Sequence, residues 1–395
     1  MRDAFVAHYH EVGLKGRNRD FFEQALVRNL KRALRGTGYR RVRHQFGRVV
    51  VDFDSNNLID EAAVRAARVF GIVYLGVGRS VHKPEMSDLA DIALEAVQDE
   101  KFDSFAVRAR RSYSTFEQSS MDINIAVGQH LKDATEARVD LSNPDITAHI
   151  DLFGNGGVIY AERHLGPGGL PVGVSGRMLG LLSGGIDSPL AAWRMMRRGA
   201  EVELLHFHGQ PFADPSSVRQ AIELAEILTR YQLKTTLHLV PLADAQREIV
   251  ANAPAGLRVI LYRRAMLRIA ALLASERELS ALITGDSLGQ VASQTIENIT
   301  TVDAAVPGVQ ILRPLIGTDK QEIVNDSKKI GTYDVSTRKY QDCCVLFEPR
   351  APATRSTSEQ ATEAESDLDV NALAEKALAE RETRVLELPD PGRRD

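Results

Sequence analysis

Residues 181–188 read Leu-Leu-Ser-Gly-Gly-Ile-Asp-Ser, and the fold of the chain around them follows from that run. Arg177 to Leu182 has the apolar character of a buried β-strand, and two glycines then break it into a tight turn. Asp187 and Ser188 stand at the start of a helix that Pro189 can open, since a proline in the first turn forfeits no helical hydrogen bond. Adjacent glycines let backbone amides approach a ligand closely, and the helix N-terminus adds a partial positive charge. Ser183, Gly184, Gly185 and Ser188 therefore read as a cradle for phosphate or pyrophosphate. The loop lacks the Gly-Lys-Ser/Thr ending of a Walker loop, which disfavours a kinase or GTPase.

The flanking chain has 395 residues, too many for one ordinary core, so two or three domains are expected. A hydrophobic content of 44% with 26% charged residues describes a globular protein. No apolar run reaches the roughly 20 residues that span a bilayer, and the polar N-terminus does not read as a signal peptide. These features predict a cytoplasmic enzyme. The two cysteines, Cys343 and Cys344, are adjacent. That excludes a disulfide scaffold and an all-cysteine zinc site.

The net charge of −4 conceals an asymmetry. Residues 1–50 hold twelve lysines and arginines against four acids, while residues 356–395 hold eleven acids against five bases. Such a distribution speaks to partners, and a basic front end suits a polyanion.

From the N-terminus, strand, helix, two strands, helix and strand follow one another through residue 78, the β-α-β-β-α-β order of a ferredoxin-like domain. His10 to Arg19, with Lys15, Arg17 and Arg19, would be an exposed basic loop between the first strand and first helix. Residues 79–166 read as a second small α/β unit, with Arg108, Arg110 and Arg111 clustered toward the end of a strand. Those arginines serve either a solvated strand edge or an anionic partner. Gly166 to Gly176 is a Gly/Pro linker and the expected domain boundary. Beyond it, strands at 177–182, 201–207, 235–240 and 279–284 alternate with helices at 189–198, 215–231, 242–251 and 257–276, the pattern of a doubly wound parallel sheet. Residues 356–395 read as an acidic, disordered tail, within which Val370 to Glu387 could form an amphipathic helix.

In doubly wound sheets ligands bind beyond the carboxyl ends of strands. Ser183 to Ser188, His206, Phe207 and Gly285 are expected to converge there. Gln290 and Gln294, four apart, would share one face of a helix and reach nucleotide groups. Arg263 or Arg264 could bridge phosphate, and Asp319 could cap a helix whose Lys320 neutralises a leaving pyrophosphate. The Asp-Cys-Cys run at 342–344 could hold a nucleophilic thiolate or two inert apolar residues.

Ser-Gly-Gly-x-Asp-Ser resembles the PP-loop of ATP pyrophosphatases, which split ATP between the α- and β-phosphates and leave an adenylated substrate. Taken together, His-Glu-Val-Gly-Leu-Lys-Gly-Arg-Asn-Arg, Gly-Gly-Leu-Pro-Val-Gly, Leu-Leu-Ser-Gly-Gly-Ile-Asp-Ser-Pro, Thr-Gly-Asp-Ser-Leu-Gly-Gln-Val-Ala-Ser-Gln-Thr and Asp-Cys-Cys-Val-Leu-Phe-Glu-Pro resemble the tRNA 4-thiouridine synthases (tRNA sulfurtransferases). The likeness covers about residues 4–355. It implies an α/β chain made of an N-terminal ferredoxin-like domain (1–78), a THUMP RNA-binding domain (79–166) and a PP-loop ATP pyrophosphatase domain (167–355). It also implies an ATP site lined by Leu181, Leu182, His206, Phe207, Arg263, Gly285 and Gln294. Asp187 and Lys320 would serve adenylation with ATP and Mg²⁺, and Cys343 or Cys344 would serve sulfur transfer. Lys15, Arg17, Arg19, Arg108, Arg110 and Arg111 would hold the tRNA acceptor arm. The tail has no cysteine and is short for the C-terminal rhodanese domain of some members. The resemblance thus implies a cysteine desulfurase as the persulfide donor and puts a thiamine role in doubt. A homodimer is compatible with it.

Two rivals stand beside that reading. One keeps the loop and changes the substrate, as in a tRNA 2-thiolase, a tRNA lysidine synthase or an amidotransferase-type synthetase. The other is a THUMP-type RNA-binding protein with a vestigial nucleotide site, against which the intact Ser183–Ser188 loop argues.

Overall fold

The computed structural model describes residues 2–54, 58–211, 214–338 and 353–391. The chain divides into two compact units, residues 1–171 with 389–395, and 172–388, so the division falls inside the Gly/Pro linker.

The first unit opens with β1 (Ala4–His8), α1 (Arg19–Ala33), β2 (Tyr39–Gln45), β3 (Arg48–Phe53), α2 (Ile59–Ala66) and β4 (Tyr74–His82). It continues with α3 (Met86–Val97), β5 (Ser104–Ser114), α4 (Ser120–Thr135), β6 (Arg138–Val139), β7 (Ile146–Gly154) and β8 (Gly156–Leu165). The first four strands lie in the order β2-β3-β1-β4, antiparallel as a ferredoxin-like unit requires. β4 then pairs antiparallel with β8, so the second α/β module extends the same sheet to eight strands, β2-β3-β1-β4-β8-β7-β5-β6. Two cores that the sequence presents as separate modules thus share one backbone ladder. At the seam, Gly76 and Gly78 make room for Tyr160; a Cβ on Gly76 would lie 2.3 Å from its ring.

The second unit comprises β9 (Arg177–Leu181), α5 (Asp187–Arg197), β10 (Glu201–His208), α6 (Ser216–Gln232), β11 (Lys234–Pro241), α7 (Ala243–Asn252) and α8 (Arg258–Glu276). After these come β12 (Leu282–Ile283), α9 (Ile296–Asp303), β13 (Ile311–Leu312), α10 (Lys320–Ile330) and α11 (Tyr333–Ser336). Its sheet runs β13-β12-β9-β10-β11 in parallel. Odd-numbered Leu179, Leu205 and Phe207 pack with α8, whereas Gly180 lies against Val202, Leu204 and Ala192 of α5. Helices therefore cover both faces, which is the doubly wound arrangement.

The acidic tail departs from expectation. Residues 353–391 form α12 (Ser358–Ala364), α13 (Val370–Ala379) and β14 (Glu382–Glu387), and β14 joins β11 antiparallel as the sheet's edge. The helix expected through Glu387 stops at Ala379. Composition misled here because the tail's few apolar groups are well placed. Ala374, Ala377 and Leu378 enter the main core, and Ala361 and Leu368 pack with Leu261 and Tyr262. Glu365, 8% exposed, receives two hydrogen bonds from each of Arg264 and Arg268. Charge that reads as solvated in the sequence is partnered inside the fold.

Candidate nucleotide site

β9 is the switch point of the sheet: β10 continues on one side and β12 is laid down on the other. The loops after β9 and β12 therefore face each other across a crevice, the position where such sheets bind ligands. Gly285 brings the two loops together, since a Cβ there would sit 2.7 Å from the Ser188 backbone nitrogen. A side chain at 285 would push the loops apart.

The first loop is held by its own serines. Ser188 Oγ accepts from the Ser183 backbone N–H at 2.8 Å and lies 3.0 Å from Ser183 Oγ. α5 begins at Asp187 with no side-chain cap on its first turn. The first-turn amides are thus oriented for an anion. Asp187 stands at the mouth, where Lys320 Nζ donates to both its carboxylate oxygens, at 2.9 and 3.1 Å, and Gln290 Nε2 donates at 3.2 Å. Lys320 opens α10 behind Asp319, whose side chain accepts from the Gln321 N–H, as the sequence led us to expect.

Behind the loop lies a cavity of about 220 Å³. Leu181, Leu182, Ser183, Asp187, Ser188, His206, Phe207, Arg263, Gly285 and Gln294 all border it, so the expected ATP-site residues come together, with Gly184 and Gly185 in the same loop. Phe207, Met266 and Leu267 supply an apolar wall suited to a flat base. His206 is buried, and its Nδ1 donates to the Leu182 carbonyl at 2.9 Å, latching the ends of β9 and β10 rather than presenting a base at that nitrogen.

Three expectations are corrected. Gln290 and Gln294 are not on one helical face. Gly289 takes a positive φ of 73° and breaks the segment into a turn before a short 3₁₀ stretch, Ala292–Gln294. Gln290 accordingly serves Asp187, while Gln294 Nε2 lies 3.4 Å from Asp286 Oδ1. Arg264 is no phosphate ligand; it is 3% exposed and bound to Glu365 and the Thr301 carbonyl. Arg111 is half-buried, donating to the Phe116 carbonyl.

Sequence reasoning missed Asp286 and Arg313, which also border the cavity. Asp286 pairs with Arg263 at 2.5 Å and Arg313 at 3.1 Å, and Arg313 reaches Asp303 at 2.5 Å. Burial opposes charge on Asp286, but Arg263, Thr284 and Arg313 hold its carboxyl below the ordinary carboxylate range. Its signal lay in Thr-Gly-Asp-Ser, where the glycine drew the attention.

In the first unit the stretch expected as a loop forms two short 3₁₀ turns, Glu11–Leu14 and Gly16–Asn18. Lys15 pairs with Glu11 and Arg19 with Glu23, while Arg17 is exposed. Arg108 and Arg110 are exposed on β5 beyond the short ladder with β6, which pairs only Ser104 and Phe105. Cys343 and Cys344 lie outside the described residues.

A parallel sheet whose central strand ends in Ser-Gly-Gly-Ile-Asp-Ser, in a chain that also carries a ferredoxin-like and THUMP unit, defines a PP-loop protein of the ATP pyrophosphatase class. A family model described as thiamine biosynthesis protein (ThiI) matches residues 173–370, and models of the ThiI ferredoxin-like domain and the THUMP domain match 4–75 and 83–162. The chain is 42% identical to a probable tRNA sulfurtransferase of Thermus thermophilus, over 98% of this chain and 94% of that one. It is 39% identical to one of Caldanaerobacter subterraneus subsp. tengcongensis, over 98% and 100%. Among solved structures it resembles a 4-thiouridine synthetase in complex with RNA and bound ATP, with a TM-score of 0.87 and 35% identity, covering 98% of this chain and all of that one. The chain belongs to the ThiI family.

Proposed function

We propose that the protein is an ATP-dependent tRNA sulfurtransferase that adenylates O4 of uridine 8 and replaces that oxygen with sulfur, giving 4-thiouridine. The observation that carries this is the Asp187–Lys320 pair standing at the mouth of the Ser183–Ser188 loop, in a member of this family. ATP would lay its β- and γ-phosphates on the loop and the first turn of α5, with its base against Phe207, Arg263 and Gln294. Uridine O4 attacks the α-phosphorus and pyrophosphate leaves, its charge met by Lys320 and the loop amides. A persulfide sulfur on Cys343 would then bond to C4 while AMP departs with the oxygen. Attack of a Cys344 thiolate on the Cys343 sulfur would break the S–S bond to the nucleoside, releasing 4-thiouridine and leaving a Cys343–Cys344 disulfide for a thiol reductant to reopen.

Magnesium fits the donors present. The Asp187 carboxylate would hold it together with substrate phosphates, which is how Mg²⁺ is usually bound. When bound it would offset charge on the departing pyrophosphate. Among the described residues no group of three or more His, Cys, Asp or Glu side chains could hold a metal alone, so the nucleotide itself would complete the site.

Arg17, Arg19, Arg108 and Arg110 are exposed cations that would meet tRNA phosphates, with half-buried Lys15 paired to Glu11, and affinity would fall with salt. A cysteine desulfurase would supply the persulfide, and a homodimer is compatible with the reading. No described helix is long and apolar enough to cross a membrane, and a cytoplasmic location suits a tRNA-modifying enzyme.

The test uses Cys343→Ser with tRNA, ATP, cysteine and a cysteine desulfurase. AMP-activated tRNA is expected to form while 4-thiouridine, read by nucleoside mass spectrometry, does not. Normal 4-thiouridine in that variant would show the sulfur path to be misassigned.

A further inference from the structure

The Asp187–Lys320 pair joins the first residues of two helices, α5 and α10, which pack side by side. Lys320 is exposed, and an exposed lysine pair is too weak to fix where a helix begins. A second contact lies deeper. Arg194 follows Asp187 by seven residues, about two helical turns, and so shares its face of α5. Its Nη2 donates to Asp326 Oδ2 of α10 at 3.2 Å. Asp326 follows Lys320 by six residues, so the helices run in the same direction with two ionic rungs between them, reversed in sign from one rung to the next. Arg194 Nη1 also donates to the Pro314 carbonyl at 3.1 Å and to Thr318 Oγ1 at 2.8 Å, on the stretch that enters α10. One half-buried, planar guanidinium thus holds three acceptors around the start of the helix, a task for which a point-charge ammonium is ill suited. Burial opposes charge on Asp326, but Arg194 and Lys329 hold its carboxyl below the ordinary carboxylate range.

We propose that Arg194 is a positioning residue for adenylation, which fixes the start of α10 so that the Lys320 ammonium can pass from Asp187 to the departing pyrophosphate while the helix stays in place. This rests on the functional reading above. Arg194 acts on the reaction only through Lys320. Ser287 Oγ and the Leu288 N–H bond the Thr318 and Ile316 carbonyls, at 3.2 and 3.0 Å, so the segment keeps its fold when Arg194 is replaced. What is lost is the aim of the lysine, and a misplacement of about 1 Å can cost about 10²-fold in rate.

The experiment is a double-mutant cycle on the full chain with Arg194→Met, Lys320→Ala and both together, supplied with tRNA, ATP and Mg²⁺. The rate of tRNA-dependent pyrophosphate release is read in a single turnover. Lys320→Ala is expected to lower it about 10²-fold, and Arg194→Met about tenfold. The double variant should match Lys320→Ala within about twofold, because the arginine has nothing left to aim. A role confined to stability would lower the rate by the same factor in both backgrounds. Asp326→Asn weakens the deeper rung from the α10 side, so its smaller loss should also vanish in the Lys320→Ala background; it keeps the proposal testable should Arg194→Met fail to fold. Equal losses with and without Lys320, or full activity in folded Arg194→Met beside an impaired Lys320→Ala, would overturn the proposal. An unimpaired Lys320→Ala, or no tRNA-dependent pyrophosphate release by the unsubstituted protein, would instead overturn the functional reading.

Discussion

Asp187 is the residue on which the proposed chemistry turns, because it ends the phosphate loop and faces Lys320 within hydrogen-bonding distance. Asp187→Ala removes the carboxylate proposed to hold magnesium and frees the lysine, and AMP formation is expected to fall by about 10²- to 10³-fold. The tRNA affinity should stay at its original value, measured by filter binding. A parallel loss of tRNA binding would mean that Asp187 supports the fold rather than the reaction. The positions of such residues were legible in advance where a motif confines them: Ser183, Asp187, Ser188 and Gly285 border the cavity, and Lys320 reaches Asp187. Gln220, Asp286 and Arg313 were not, because their value lies in partners 36, 23 and 27 residues away, Gly184, Arg263 and Asp286. Polar residues in an otherwise apolar helix face, as at Gln220, are the trace such partners leave.

Among the elements, α12 and α13 most change the picture drawn from composition. An acidic stretch poor in aromatics reads as a solvated appendage, yet Glu365 neutralises two arginines of α8 within the core. Local pattern located β9 through α8 within a few residues, because apolar runs and helix periodicity are local properties. It could not locate the tail, whose structure depends on arginines about a hundred residues upstream. Glu365→Ala should leave Arg264 and Arg268 buried without a counter-charge, destabilising the second unit by about 3–5 kcal/mol in urea unfolding. A loss below about 1 kcal/mol, the range of an exposed pair, would mean that the tail is not anchored there. The shared β4–β8 ladder is a second case: each module's pattern was legible, but strand pairing between modules has no local signature.

At the scale of the whole molecule, both units carry groups whose ionisation the fold resists or favours. Burial, with the charge of nearby Arg163, lowers His149 to about 4, and burial with the charge of His206 lowers His208 to about 4. Burial works against the charge of Glu203, but bonds from His238 and Arg277 take its carboxyl down to about 2. In each case the unfolded chain binds protons first as pH falls. The histidine contributions are complete above about pH 6.5 and lost toward pH 4, and that of Glu203 is lost between about pH 4.5 and 2. Urea midpoints should therefore decline steadily from pH 7.5 to 3.5; a midpoint that rose on acidification would contradict these environments.

The measurement that bears most directly on the central claim follows the oxygen atom. With tRNA carrying ¹⁸O at C4 of uridine 8, unlabelled ATP and a persulfide donor, the label should appear in the phosphate of AMP, with unlabelled pyrophosphate and one 4-thiouridine per AMP. ADP and inorganic phosphate as products, or 4-thiouridine formed with unlabelled AMP, would contradict adenylation of the uridine oxygen.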